Sequence, residues 1–284
     1  MKYFVISDVH SFASEMKASL KEAGFDKRNK NHTLIVCGDV FDRGYETIEV
    51  YKFLKSIPKK RCILVKGNHE SLYFELLEKY FPDRHDFSNG TVRTFCNIAG
   101  MDEKQLDRYH IFDEAFYMGL DFEQVEDKLH KNWNIVKKLV EKSEITKWLR
   151  SSQWVNYYEL DKYIFVHSFI PCKNPMMQPI YGMHQLGYKK FLSYDANWRN
   201  YQSNCLEWED AMWGCPYLQY ESGLFDEEKA KGKILVCGHW RSADFHEYFN
   251  NEQNNNNAYI GENLIGLDAT TVISKKVNVY IINI

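Results

Sequence analysis

The sequence predicts an α/β fold, on three observations. Short β-rich runs recur, helix-like stretches follow the early ones, and polar residues collect where the runs stop. The runs at 3–6, 33–37, 62–65, 163–166 and 234–237 are compact and apolar. That is the pattern of strands buried on both faces.

Helices follow the first three. Residues 11–23 carry Phe12, Met16 and Leu20 at four-residue steps, with Gly24 as a stop. Residues 45–54 and 70–80 read the same way. Strand, loop and helix in repeated succession is an α/β signature. Between 81 and 158 the pattern loosens into helical periodicity, clearest over 122–148. It predicts a helical cap inserted into one domain spanning 1–284. Residues 171–229, rich in Tyr, Trp, Pro and Asn, predict long functional loops over one face. The asparagine run at 250–257 predicts a mobile surface loop. Residues 263–269 and 272–282 predict an antiparallel hairpin, the second arm alternating at Val277, Val279 and Ile281.

Composition narrows the function. The 284 residues can bury a substantial core, and 44% hydrophobic with 26% charged residues is an ordinary globular balance. A formal net charge of −3 gives no reason to expect general nucleic-acid or anionic-membrane binding. Aromatic residues, at 15%, read as packing rather than a base-stacking platform. The seven cysteines are scattered singly without a CxxC pair, so neither a zinc knuckle nor a disulfide framework is expected. With no leader-like N-terminus and no apolar run of bilayer length, a reducing, cytoplasmic setting is the expectation.

The chemistry sits at the strand ends. Asp8 and His10 follow the first run, Asp39, Asp42 and Arg43 the second, and Asn68, His69 and Glu70 the third. His167 and His239 follow the fourth and fifth. Groups beyond the carboxyl ends of strands in an open α/β sheet converge on one crevice. Mixed oxygen and nitrogen donors suit Mn²⁺, Fe²⁺ or Zn²⁺ better than an all-oxygen magnesium site. Asp39, beside Gly38, is the best-placed bridge between two ions, and such a pair brings the pKa of a shared water toward neutrality. Arg43 offers a planar fork for phosphate oxygens. His69 can protonate a departing alkoxide, with Asp42 as the nearest carboxylate to orient it.

Asp8-x-His10, the run Gly38-Asp39-x-x-Asp42-Arg43-Gly44, and Gly67-Asn68-His69-Glu70, in that order, resemble the phosphoprotein phosphatase family of calcineurin-like metallophosphoesterases. His167, Gly238-His239 and Asp268 extend the resemblance over residues 1–80 and 160–284. The nearest branch is the small bacterial and bacteriophage serine/threonine phosphatases, with the diadenosine tetraphosphate hydrolases. The resemblance implies a two-sheet sandwich flanked by helices. It implies that Asp8, His10 and Asp39 hold one ion, and Asp39, Asn68, His167 and His239 a second. Manganese is the expected metal, with iron(II) or zinc as alternatives. The substrate is expected to be a phosphoprotein or a phosphorylated nucleotide, bound through Arg43 and Asn68, with His69 and Asp42 delivering the proton.

Three departures stand out. Ser11 replaces a usual glycine, and Ser168 follows His167 in place of the usual Ala-Gly. Where the family's second phosphate-binding arginine would follow Ala211-Met212-Trp213, the chain has Gly214-Cys215-Pro216. Arg241, Arg199 and Arg93 are candidates to replace it, Arg241 preferred for its closeness to His239.

Each motif alone has a plainer reading: a solvated turn for Asp8-x-His10, a helix cap for Asn68, core packing for His167 or His239. Five ordered matches at strand ends weigh against those. For His32, His85, His110, His130, His184 and His246 the packing or surface reading is preferred, and for Trp133 to Trp148 a core role. The leading function is therefore a metal-dependent phosphomonoesterase. Alternatives are a dinucleoside polyphosphate hydrolase, a cyclic phosphodiesterase, and a non-catalytic scaffold.

Overall fold

The computed structural model describes residues 1–107, 121–173 and 192–284. His110, His184 and residues 174–191 of the expected loop region lie outside them.

Two sheets of five strands form the centre. The first holds β1 (Lys2–Ile6), β2 (His32–Cys37), β3 (Cys62–Val65) and β4 (Trp154–Val155) in parallel, with β12 (Tyr280–Asn283) antiparallel on the edge of β1. In the second, β6 (Tyr163–Phe165), β9 (Ile234–Arg241) and β11 (Leu264–Asp268) run parallel. The antiparallel strands β5 (Tyr158–Leu160) and β10 (Tyr259–Ile260) flank them. A further pair, β7 (Cys172–Lys173) and β8 (Ser193–Tyr194), stands apart.

Side-chain alternation along the strands explains the layering. Val5, Ile35, Cys37 and Val65 point between the sheets, where they meet Phe165, Val236, Ile265 and Leu267. Their neighbours Phe4, Ile6, Leu34, Val36 and Leu64 point outward onto helices. These are α1 (Ala13–Glu22), α2 (Thr47–Lys55), α3 (Asn68–Glu78) and, after α4 (Arg84–Asn89), α5 (Thr91–Ala99). Ile164, Val166, Leu235, Cys237 and Leu264 bury the outer face of the second sheet, against α8 (Leu206–Trp213) and α11 (Ser242–Asn250) among others. Both faces of each sheet are covered, which is why these strands read as unbroken apolar runs.

The described residues of the stretch 81–158 pack on the first sheet: Val92, Phe95, Trp133 and Trp148 belong to the same cluster as Phe4 and Ile6. Its helices α6 (Phe122–Lys142) and α7 (Glu144–Leu149) precede β4, which joins the first sheet. Trp133 and Trp148 are core residues, as expected. The C-terminal hairpin does not form. After β11 the chain turns at Thr270, φ +52°, makes the short α12 (Thr271–Ser274) and crosses to the first sheet. There β12 pairs with β1, Lys2 opposite Asn283. Of the alternating positions only Ile281 lies in β12, and pattern alone does not choose between two available sheet edges.

The expected functional loops between 192 and 229 contain three short helices: α8, α9 (Pro216–Glu221) and α10 (Asp226–Ala230). Of the plain histidines, His32 packs on Phe4 and His246 pairs with Glu252. Among the described residues no helix is long and apolar enough to cross a membrane.

Candidate metal centre

The carboxyl ends of the parallel strands of both sheets open on one seam. Asp8 and His10 follow β1, Asp39 follows β2, Asn68 and His69 open α3 after β3, and His167 follows β6. His239 differs slightly from expectation: β9 continues through it to Arg241, with a register irregularity against β11. Asp8, His10, Asp39, Asn68, His69 and His167 are all buried.

Asp39 is the hub. One oxygen each from Asp39 and a ring nitrogen from His10 and His69 lie within 4.8 Å of one another, and a second such group joins Asp39 to His167 and His239. His10 Nε2 stands 3.8 Å from Asp8 Oδ1 and 3.7 Å from Asp39 Oδ2. The structure thus brings together the six residues expected as ligands and draws His69 in beside them.

The outer hydrogen bonds aim the rings. His10 Nδ1 donates to the Phe41 carbonyl at 3.0 Å and His167 Nδ1 to the Cys37 carbonyl at 2.8 Å. A histidine that ligates a metal through one nitrogen commonly fixes the other on a carbonyl in this way. His167 Nε2 then faces two oxygen acceptors, Asn68 Oδ1 at 2.8 Å and Asp39 Oδ1 at 3.4 Å. A cation among these atoms satisfies all three, so the residues fit the metal pair.

The charges point the same way. Burial, with Arg43 and His69 nearby, holds His10 well below the ordinary imidazole range. Burial and then His167 take His239 down to about 3. Unprotonated rings are the metal-binding form. Burial opposes ionisation of Asp39, yet the imidazoles of His167, His69 and His10 hold it below the usual carboxylate range. Burial, opposed by His167 and reinforced by Asp39, raises Asp8 to about 6. Asp268, at the end of β11, is raised further by burial and Asp8. So many carboxylates in one dry seam call for cationic compensation.

The backbone is bent to reach this geometry. Asp8, His10, Ser11, Asp39, Asp42, Arg43 and His239 all have φ between +49° and +72°. Each such non-glycine residue costs on the order of 1–3 kcal/mol and concentrates at functional sites. Ser11 illustrates how one departure is absorbed. At φ +59° it keeps the left-handed backbone natural to glycine, and its hydroxyl meets Thr47 Oγ1 at 3.0 Å. Gly67 leaves no room for a side chain, because a Cβ there would run into Asp39.

Beside the cluster, His69 Nδ1 donates to Asp42 Oδ2 at 2.7 Å, and Arg43 Nη2 reaches His69 Nε2 at 3.4 Å. Burial disfavours protonation of His69, but Asp39 and Asp42 together outweigh it and raise its pKa.

Sequence reasoning passed over three contributors. Glu70 was read only as part of a motif, yet its buried carboxylate accepts the Gly67 N–H (2.7 Å), the Asp39 N–H (3.0 Å) and the Val40 N–H (3.0 Å). Three residues past Gly67, it had the sequence signal of a capping glutamate. Thr91 and Thr94, which bond Asp42, carried no local signal.

The arginine candidates separate. Arg199 is held by Glu159 and Glu228. Arg93 bonds Glu103 and the Arg43 carbonyl. Arg241 is 58% exposed and paired with Asp244. In the segment that departs from the family, Ser168 Oγ donates to the Gly214 carbonyl and the Trp213 ring stands edge-on to His239, 5.7 Å between centroids.

A family model for calcineurin-like phosphoesterases matches residues 1–253. The chain is similar to the asymmetrical bis(5'-nucleosyl)-tetraphosphatase PrpE of Bacillus velezensis, 31% identical over 85 residues, 28% of this chain and 34% of that protein. It is also similar to Shewanella-like protein phosphatase 1 of Plasmodium berghei, 32% identical over 127 residues, 38% of this chain and 34% of that one. The matches thus span about a third of these relatives' length. Among solved structures, a cold-active protein-tyrosine phosphatase of a psychrophilic Shewanella species superposes with a TM-score of 0.51 at 16% identity. The superposition covers 99% of this chain and 74% of that one, a likeness of fold.

Proposed function

The chain belongs to the calcineurin-like phosphoesterase family, and from that premise we propose that it hydrolyses phosphomonoesters in the manner of a serine/threonine protein phosphatase. The observation that carries the proposal is Asp39, shared between two groups of metal-binding atoms beside Arg43 and the His69–Asp42 pair.

Asp8, His10 and Asp39 would hold one divalent ion, and Asp39, Asn68, His167 and His239 the other. Bound divalent ions would supply Lewis acidity and an activated water there. Manganese is the proposed metal, given the nitrogen and oxygen donors. Arg43 takes two oxygens of the phosphoryl group in its planar fork, and Asn68 supports the same group through its amide. His69 gives its Nε2 proton to the leaving oxygen while Asp42 keeps the ring oriented. Arg241 is the proposed second phosphate contact, after turning from Asp244. A single domain is in keeping with Val92, Phe95, Trp133 and Trp148 sharing the core of the first sheet. A cytoplasmic setting is in keeping with the free cysteines.

A second reading, hydrolysis of dinucleoside polyphosphates, is favoured by similarity to PrpE over its matched stretch. Metal-stripped protein refilled with Mn²⁺, Zn²⁺ or Mg²⁺ separates the readings. It would be assayed on p-nitrophenyl phosphate, its bis-ester, a phosphothreonine peptide and diadenosine tetraphosphate. The proposal expects manganese-dependent turnover of the monoester and peptide. Preferred turnover of the dinucleotide replaces it with the second reading, and preference for the bis-ester indicates a phosphodiesterase. Absence of metal-dependent turnover on all four overturns the enzymatic reading in favour of a scaffold.

A further inference from the structure

Helix α5 meets the candidate site at its first turn. Thr91 Oγ1 donates to Asp42 Oδ2 at 2.8 Å, and Thr94 Oγ1 donates to Asp42 Oδ1 at 2.7 Å. Thr94 Oγ1 also accepts the Asp42 N–H at 2.9 Å. The spacing of three residues puts both hydroxyls on one helix face. With His69 Nδ1 on Oδ2, both oxygens of this buried carboxylate are engaged, and the two threonines are buried with it. Nearby, Gly90 at φ +80° packs directly on the Arg43 backbone, and Arg93 Nη1 donates to the Arg43 carbonyl at 2.6 Å.

We propose that Thr91 and Thr94 are positioning residues for proton delivery. Their hydroxyls fix the plane of the Asp42 carboxylate, and the carboxylate fixes the ring of His69. The region expected as a cap is thereby built into the proton-donating machinery. Hydrogen bonds to a charged carboxylate are short, strong and directional, so two of them from a rigid helix leave Asp42 one orientation. Without them the carboxylate turns, and Nε2 of His69 loses its aim at the leaving oxygen. As the P–O ester bond breaks, that oxygen takes the Nε2 proton, and the ring regains one from water before the next turnover. The catalytic part of this inference rests on the phosphoesterase reading; the positional part does not.

The test uses Thr91→Val, Thr94→Val, their double variant and the two serine variants, each checked for cooperative melting. In metal-free protein, the hydrogen-bonded Nδ1–H of His69 should give a downfield proton resonance, assigned by its loss in His69→Gln. The resonance is expected in wild type and the serine variants and lost in the double valine variant. With Mn²⁺ bound, kcat on phenyl phosphate, whose leaving group needs a proton, should fall about 10- to 100-fold in that variant. On p-nitrophenyl phosphate the fall should be no more than about 3-fold, because its leaving group departs with little proton donation. KM should be unchanged, and serine should restore kcat. An unaltered resonance, or equal losses on the two esters, overturns the proposal. If wild type hydrolyses neither ester, the phosphoesterase reading falls and the resonance alone decides the positional role. If the double variant does not fold, Thr91→Val against Thr91→Ser makes the same comparison.

Discussion

The first sheet brings to the seam Asp8, His10, Asp39 and Asn68, together with Arg43 and the His69–Asp42 pair, several of them tied down by other residues of the same half. Glu70 clamps the Asp39 and Gly67 backbones, and α5 grips Asp42. The second sheet brings His167, His239 and Asp268. In its approach to His239, Ser168 bonds the Gly214 carbonyl and Trp213 faces the His239 ring. The proposed proton delivery and the Arg43 contact therefore lie on one side, and the other side offers proposed ligands and Arg241. Asp39 is the side chain common to both donor groups. Substrate discrimination is accordingly best sought on the second side, where the departures from the family collect.

Asp39→Asn tests the asymmetry most severely. If Asp39 bridges the halves, metal content measured by plasma mass spectrometry falls for both ions. Hydrolysis drops by about 1,000-fold or more, equivalent to roughly 4 kcal/mol of lost stabilisation. Loss of only one ion would break the comparison, because the halves would then bind independently.

His239→Gln probes the second side alone and is expected to remove one ion and leave the other. It also alters the pH dependence of metal-free stability. His239 titrates near 3 when folded and at the ordinary 6.5 when unfolded, so between these values the unfolded chain holds the extra proton. Protonation there favours unfolding, so the wild-type ring contributes a stability that rises with pH across that window. The variant should gain on wild type as pH falls from 6.5 toward 3. Melting temperatures of the two proteins across this range decide it, and a constant difference would refute the assignment of His239 as a half-buried neutral ring.

The smallest effect is expected from Arg241→Ala. An exposed pair with Asp244 contributes at most about 1 kcal/mol, so its melting temperature should barely move. If Arg241 does leave Asp244 to hold phosphate, KM rises while melting stays put. An unchanged KM confines phosphate binding to the first side and sharpens the contrast.

Much of this was legible in the sequence because strand and chemistry adjoin. Ile6 leads to Asp8, Cys37 to Asp39, Val65 to Asn68, and each polar group falls where an apolar run ends. What stayed hidden depends on contacts distant in the chain or on backbone angles. Thr91 and Thr94 look like ordinary helix residues until α5 meets Asp42. The positive φ of Ser11 or Arg43 has no compositional mark, since neither residue type favours it. Gly238 and His239 suggested a loop, yet β9 carries them as an irregular strand to Arg241. The C-terminal stretch 272–282 spans a helical turn and a short strand, and the choice of β1 as partner is a tertiary decision.

One further consequence follows from how Asp8 is held. Its carbonyl accepts the Thr271 hydroxyl at 2.9 Å, and its Oδ2 accepts the His239 N–H at 3.0 Å. These partners are 263 and 231 residues away. Contacts so remote along the chain close late, after the local helices and the β1–β2 pairing. During synthesis on the ribosome, Asp8 waits for Thr271, 263 residues further on, before its geometry is complete. In the proposed site, metal loading would then follow the closing of these contacts and would report a molecule folded through both sheets.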